Sequence, residues 1–197
     1  MLTIHTLSVG MLQTNCYIVA AGKSSACLVI DPGDSAHKIR ALLEREGLNI
    51  AAILLTHGHF DHDGAVKDLV AQYDCPVYMH KHEMILPAAF PTGRRLYTHT
   101  VSEGDALSLD GLPIKVLHTP GHTPGSVCYW IGDALFSGDT LFASGCGRTD
   151  FPCGSWDALM QSLQRLAAIE ADLAVYPGHG EATTLAAEKR YNPYLRG

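Results

Sequence analysis

The chain has 197 residues, of which 47% are apolar and 17% charged, and its formal charge is −6. That length allows one large domain or at most two small ones and is enough to bury roughly 70% of the unfolded surface, so a disordered or low-complexity chain is excluded. Acidic residues outnumber basic ones 20 to 14 with no Lys/Arg run, which argues against a nucleic-acid groove or a membrane patch and leaves small molecules as the expected partners.

The start, "MLTIHTLSVGM", lacks the basic opening, unbroken apolar core and small-residue cleavage site of a signal peptide. No apolar run reaches the ~18 residues of a membrane span, so a cytoplasmic protein is expected. Six cysteines, Cys16, Cys27, Cys75, Cys128, Cys146 and Cys153, form no C-x-x-C pair. A zinc ribbon or dithiol centre is therefore disfavoured, and most of them read as small buried hydrophobes.

In chain order, "LTIHTLS", "NCYIVAA" and "ACLVIDPG" read as strands separated by turns at Gly10 and Gly22. "SAHKIRALLEREG" places Ile39, Leu42 and Leu43 at helical spacing, with Ser35 as a cap candidate and Gly47 as the stop. "IAAILLT" is short and apolar and predicts a buried strand ending at a histidine cluster. A helix in "AVKDLVAQY" and a strand in "PVYMH" follow. The second half repeats this grammar, with strands in "ALSLDG", "LPIKVLHTPG", "GSVCYWIG" and "DALFSGD", a helix in "SWDALMQSLQRLAAI", a strand in "DLAVYPG" and a last helix in "ATTLAAEKRYNPYL", halted near Pro193. Meanders mixed with covering helices predict two sheets packed face to face with helices outside, a four-layer α/β arrangement, with no linker or repeat.

Four polar clusters follow apolar runs: "THGHFDH", "TPGHTPGS", "FSGDT" and "YPGHGE". In an extended loop, His57 and His59 point to one side and suit two ligands on one metal, while Asp61 and His62 diverge toward a second ion. Taken singly, His122 and His179 are plain loop histidines and Asp139 is a helix cap. Taken together, the histidine and carboxylate donors can supply two ions with three or four protein ligands each and leave room for water or substrate. His80 and His82 in "MHKHEM" lack a carboxylate–histidine follow-up and read as surface or strand-end residues; His118 stands close to His122 but is not assigned to the site.

Six motifs, "LVIDPG", "THGHFDH", "HTPGHTPGS", "FSGDTLF", "GCGRTDF" and "YPGHGE", occur in an order that resembles the metallo-β-lactamase superfamily and, within it, the short glyoxalase II-like hydrolases. The resemblance covers nearly the whole chain. It implies a four-layer αββα sandwich, one domain over residues 1–197, with the site at one edge of the two sheets. His57, His59 and His122 resemble the ligands of a first metal, Asp61, His62 and His179 those of a second, and Asp139 the bridging carboxylate. Asp61 and Asp139 are the carboxylates counted as catalytic, and the ions are two divalent cations, zinc first, with iron or manganese also suited. Asp31 matches a position that supports a ligand from behind, though it also suits the turn at Pro32 and Gly33. Arg148 is the nearest match to a basic residue that grips the glutathione carboxylate; an Arg bracing its own loop through Asp150 is the plainer reading. Phe142 and Phe151 read either as pocket walls or as packing.

The activity this implies is hydrolysis of a small thioester, such as S-lactoylglutathione or another thiol conjugate, by a hydroxide held between two ions. Eighteen residues follow His179, too few for the helical C-terminal domain with which full-length glyoxalase II clamps glutathione, so the thiol carrier stays open. Persulfide dioxygenases share the fold and a similar "GCGRTDF" loop but use one iron, here held by His57, His122 and Asp139. A non-catalytic module of the same fold has no need of seven filled ligand positions. A β-lactamase fits less well, because no cysteine ligand stands at Asp139, and superfamily nucleases would have to overcome the acidic charge.

Overall fold

The second and third strands bury both of their faces. In the computed structural model, which describes residues 2–85, 97–109 and 111–196, Cys16, Ile18 and Ala20 point to one side of their strand and Tyr17 and Val19 to the other. A strand with two apolar faces must lie between two layers, and the chain supplies both.

In order, the elements are β1 (Leu2–Val9), β2 (Thr14–Ala21), β3 (Ala26–Ile30), α1 (Ala36–Glu46), β4 (Asn49–Leu54), α2 (Phe60–Asp63), α3 (Val66–Tyr73), β5 (Val77–His80), a 3₁₀ helix (Lys81–Ile85) and β6 (His99–Val101). Then come β7 (Ala106–Leu109), β8 (Leu112–His118), β9 (Val127–Ile131), β10 (Ala134–Gly138), β11 (Leu141–Phe142), β12 (Gly145–Cys146), α4 (Trp156–Ala167), β13 (Ala174–Pro177), β14 (Thr183–Thr184) and α5 (Leu185–Tyr191). The first sheet runs β1-β2-β3-β4-β5-β6 and the second β14-β13-β10-β9-β8-β7, with β11 and β12 forming a small ribbon. β1 to β3 pair antiparallel, whereas β3 to β6 pair parallel. Parallel neighbours need crossovers, and α1 and α3 supply them on the outer face.

Three apolar clusters define four layers. Ile39, Leu42 and Leu43 of α1 and Val66 and Leu69 of α3 cover the outer face of the first sheet. Leu28, Ile30 and Leu54 meet Tyr129, Ile131 and Phe136 of the second sheet at the centre. On the far side, Leu159, Leu163 and Leu166 of α4 lie on Cys128, Leu135 and Val175. Each such leucine contributes about 1.5–3 kcal/mol by burial. The expected four-layer αββα sandwich is the one observed.

Some local expectations are corrected. Ser35 occupies the cap position of α1 but takes a left-handed φ of 55° and makes no capping bond; its hydroxyl donates to Asp34 instead. Ser155 does cap α4, accepting from the Ala158 amide. The strands β6, β11, β12 and β14 were not expected, because two or three residues are too few to show an alternating pattern. Asp110, in the expected strand "ALSLDG", lies outside the described residues. No helix among the described residues is long and apolar enough to cross a membrane.

Candidate metal centre

β8, β10 and β13 run in one direction, since β9 is antiparallel to both β8 and β10 and β13 is parallel to β10. Their C-terminal ends deliver His122, Asp139 and His179, while β4 of the other sheet delivers "THGHFDH". The two sheets are tied at this edge, where the Val127 amide donates to the Thr56 carbonyl at 2.9 Å and the Tyr129 hydroxyl donates to the Leu55 carbonyl at 2.9 Å. Loops leaving aligned strand ends converge while the strands hold them still.

All seven expected donors meet there. The donor atoms of His57, His59 and His122 lie within 4.8 Å of one another, as do those of Asp61, His62 and His179, and those of His57, His62 and Asp139. Asp139 stands between the groups: its Oδ2 is 3.5 Å from His122 Nε2 and 3.6 Å from His179 Nε2, and its Oδ1 is 3.5 Å from His62 Nε2.

Hydrogen bonding sets two of the tautomers. His122 Nδ1 is 2.7 Å from the Arg148 carbonyl, which only accepts, so that nitrogen carries the proton and Nε2 keeps its lone pair. The Thr56 hydroxyl spends its proton on Asp31 Oδ2 at 2.7 Å, so His57 Nδ1 donates to it at 3.1 Å and His57 Nε2 is likewise unprotonated. Both lone pairs face His59 Nδ1, at 2.9 and 3.0 Å. One proton on that nitrogen cannot serve both well; a cation among the three rings would. Asp139 Oδ1 and His62 Nε2 are buried without a hydrogen-bond partner among the described residues, which a cation would also remedy. The donor set therefore fits a metal site.

The charges of the first group agree with this, whereas in the second group the clustered carboxylates favour a proton on His62 and His179 where a cation would otherwise stand. Burial, then the neighbouring imidazoles, hold His57 well below the ordinary histidine range and bring His59 to about 4, keeping both in the neutral, ligating form. Burial would raise Asp61, but His179, His62 and Thr14 outweigh it and hold its carboxyl well below the usual range. Burial would lower His62, yet Asp139, Asp31 and Asp61 raise it to about 9. His179 is raised by its bond to Asp61.

The supporting residues were mostly invisible in the sequence. Asp31, with a left-handed φ of 50°, accepts from the Thr56 amide at 2.8 Å and its hydroxyl at 2.7 Å, and also faces His62. Glu83, fully buried, accepts from the Gly58 amide, the Gly125 amide and the Thr123 hydroxyl, each at 2.7 Å. One carboxylate thus ties the loop of His57 and His59 to the loop of His122. A Cβ on Gly125 would sit 2.6 Å from its Oε1, so only glycine admits the brace. Likewise a Cβ on Gly178 would lie 2.2 Å from Asp139 Oδ1, which explains the glycine before His179. Thr14 donates to Asp61, and the Asn15 amide donates to the Pro177 and Gly180 carbonyls on either side of His179. Asp31 stands in "LVIDPG", which pointed to it, whereas Thr14, Asn15 and Glu83 belong to none of the six motifs.

A cleft of about 630 Å³ opens over the donors, walled by Leu12, Phe60, Phe142 and Phe151 and including Cys146 and Arg148. Arg148 lies at its rim but forks Asp150 with two bonds of 2.6 Å and stacks over the Phe151 ring at 4.2 Å. The bracing role expected as its plainer reading is thus present, while both phenylalanines do wall the cleft.

The fold and these donors identify the class: the chain belongs to the metallo-beta-lactamase superfamily, whose sequence pattern it matches over residues 9–179. It is 37% identical to the probable metallo-hydrolase YqgX of Bacillus subtilis, across 97% of this chain and 96% of that one. It is 33% identical to the hydroxyacylglutathione hydrolase GloC of Haemophilus influenzae, across 98% of each. Among solved structures, the BLEG-1 B3 metallo-beta-lactamase superposes with a TM-score of 0.88 at 34% identity, covering 99% of this chain and 100% of that one. TTHA1623 in a di-iron-bound form gives 0.86 at 40%, covering 97% and 100%. ETHE1 from Myxococcus xanthus gives 0.83 at 29%, covering 97% and 83%. A metal-dependent hydrolase of this superfamily is what these likenesses support.

Proposed function

We propose that this chain is a dinuclear metallohydrolase that cleaves a small thioester, S-lactoylglutathione or a related thiol conjugate. His57, His59 and His122 would hold one cation and Asp61, His62 and His179 the second, with Asp139 within reach of both groups; zinc suits this mixture of imidazole and carboxylate, as do iron and manganese. Ions bound there would supply Lewis acidity and would bring the pKa of a coordinated water down to about 7. The remaining work falls to the protein. Asp61, held ionised, keeps negative charge beside the reacting centre, Asp139 offers its two oxygens to both donor groups, the neutral rings of His57 and His59 keep their lone pairs available, and the apolar walls exclude bulk water from the acyl group. A thiolate leaving group, from a thiol of pKa about 8.5, needs no proton donor, which suits a cleft whose lining among the described residues includes no lysine or tyrosine.

The observation that carries this reading is that Asp139 lies within 3.5 to 3.6 Å of His122 in one donor group and of His62 and His179 in the other, in one mostly apolar cleft. The similarity to GloC supports the thioester. Localisation in the cytoplasm, a single-domain organisation and small-molecule partners, without nucleic acid or membrane, belong to the same proposal. The likeness to ETHE1 favours a second reading, a persulfide dioxygenase with one iron on His57, His122 and Asp139.

The test measures metal content on protein purified without added metal, then S-lactoylglutathione hydrolysis with zinc, oxygen uptake on glutathione persulfide, and turnover of a chromogenic cephalosporin. Two ions and thioester turnover are expected. One iron with oxygen uptake, or preference for the β-lactam, would overturn the proposal.

A further inference from the structure

A second group of three imidazoles shares no residue with the donors above. His80 ends β5 of the first sheet, His82 lies in the 3₁₀ helix after it, and His118 ends β8 of the second sheet. One ring nitrogen from each falls within 4.8 Å of the others. Their ring centroids are separated by 4.8 Å (His80–His82), 4.2 Å (His80–His118) and 5.8 Å (His82–His118). For His57, His59 and His122 the separations are 4.7 to 4.9 Å, so the two clusters are of similar size.

We propose that His80, His82 and His118 form an additional site for a divalent transition-metal ion of the zinc type, which clamps the two sheets together beside the catalytic edge. His118 Nε2 lies 2.9 Å from the Pro124 carbonyl, which can only accept, so His118 Nδ1 keeps a lone pair. His80 is buried, and burial, with His118, His82 and Lys81 close by, lowers it to about 4, leaving a neutral ring at ordinary pH. Its Nδ1 accepts from the His82 amide at 3.3 Å, a long bond that a turn of the ring gives up at little cost. His80 and His118 stack with their planes 14° apart, so their lone pairs run side by side and one ring must swing out of the stack for both to reach one ion, with the exposed His82 closing the third side.

Three nitrogen donors select zinc, nickel or copper over magnesium or calcium, and water completes a tetrahedral shell. Lys81 opposes a cation here. Asp105, which acts on His80 from nearby, favours one; Glu103, which accepts from the His118 amide at 2.6 Å, is already paired with Arg165 at 3.1 Å, and Arg165 also donates to the His118 carbonyl at 2.8 Å. The ion would fasten the 3₁₀ helix that also carries Glu83. This site stands whether or not the thioester reading holds, because it uses none of the same ligands.

The experiment is equilibrium dialysis of the full chain against Zn²⁺ alone, comparing wild type with His82→Ala and His118→Ala. His82 is solvent-exposed, so its replacement leaves the fold in place, and circular dichroism verifies this. Wild type should retain one zinc equivalent more than either variant, and a Co²⁺-loaded sample should lose one tetrahedral absorption component in each. Equal zinc stoichiometry in wild type and both variants would overturn the proposal, whatever the occupancy of the catalytic donors.

Discussion

Asp31 Oδ2 lies 3.0 Å from His62 Nδ1, with both side chains buried. The carboxylate thereby turns the other ring nitrogen of His62 toward Asp61 and Asp139, 3.6 and 3.5 Å away. Asp31→Asn preserves the shape and removes the charge. Partners behind a metal-binding histidine typically govern affinity or activity by about 10–100-fold, and a fall of that order is expected when zinc binding is read by competition with a chromophoric chelator. Wild-type affinity would mean that Asp31 serves only its turn.

Among the described residues Glu83 hydrogen-bonds to none of the seven donors themselves, yet through Gly58, Thr123 and Gly125 it joins the loops that carry His57, His59 and His122. Glu83→Gln turns one accepting oxygen into an amide group that faces an N–H, leaving a buried donor unsatisfied at about 1–3 kcal/mol. Denaturant unfolding should show a loss of that size. Metal retention should weaken more at the three-histidine group than at Asp61, His62 and His179, which Glu83 does not touch; equal weakening at both would contradict a bracing role for the loops.

Asp139 faces both groups of donors. Asp139→Ala should abolish most turnover and lower metal content while the far-ultraviolet circular dichroism stays near native. Undiminished turnover would refute its place between the ions.

Arg148 at the cleft and Asp150 beside it are both exposed, and each holds the other. If Arg148 also receives a substrate carboxylate, Arg148→Ala raises KM for an anionic thioester more than it lowers kcat, and Asp150→Ala, by freeing the guanidinium, lowers KM. A loop brace alone predicts that the two variants change the kinetics in the same direction.

Metal-free protein should depend on pH from both sides. Burial first, then neighbouring cations and imidazoles, take His59 and His80 from 6.5 to about 4. Between those values the unfolded chain binds more protons than the folded one, so stability is lost as pH falls through the window, at about 1.4 kcal/mol per pH unit for each group. His62 has the opposite sign: raised to about 9, it contributes stability that is complete below 6.5 and disappears as pH rises through 9. Urea midpoints across the range measure both limbs. His80→Gln should flatten the acid limb; an unchanged slope would show that His80 is not one of its sources.

How far the sequence reached depends on how local each feature is. The strands β2, β3 and β4 and the helices α1 and α4 were legible because each carries its own pattern: alternating or continuous apolar runs in the strands, leucines at helical spacing in the helices. The seven donors were legible because they cluster in short segments at the ends of such runs. Ser35 misled because Ser is a good capping residue in general, while here a left-handed backbone turns its hydroxyl to Asp34. Glu83 gave no signal, since its partners Gly58, Thr123 and Gly125 lie 25 to 42 residues away in sequence.

The amino-acid sequence by itself determined the element types, the apolar faces and the residues chemically able to bind metal, because those follow from period, side-chain volume and donor type over a few neighbouring positions. Only the tertiary structure decided which donors share a space, which tautomers His57 and His122 hold, that Glu83 joins two loops, and that His118 meets His80 and His82. Each of these depends on a distance between segments from different strands or sheets, and packing of the whole sandwich is what sets such distances.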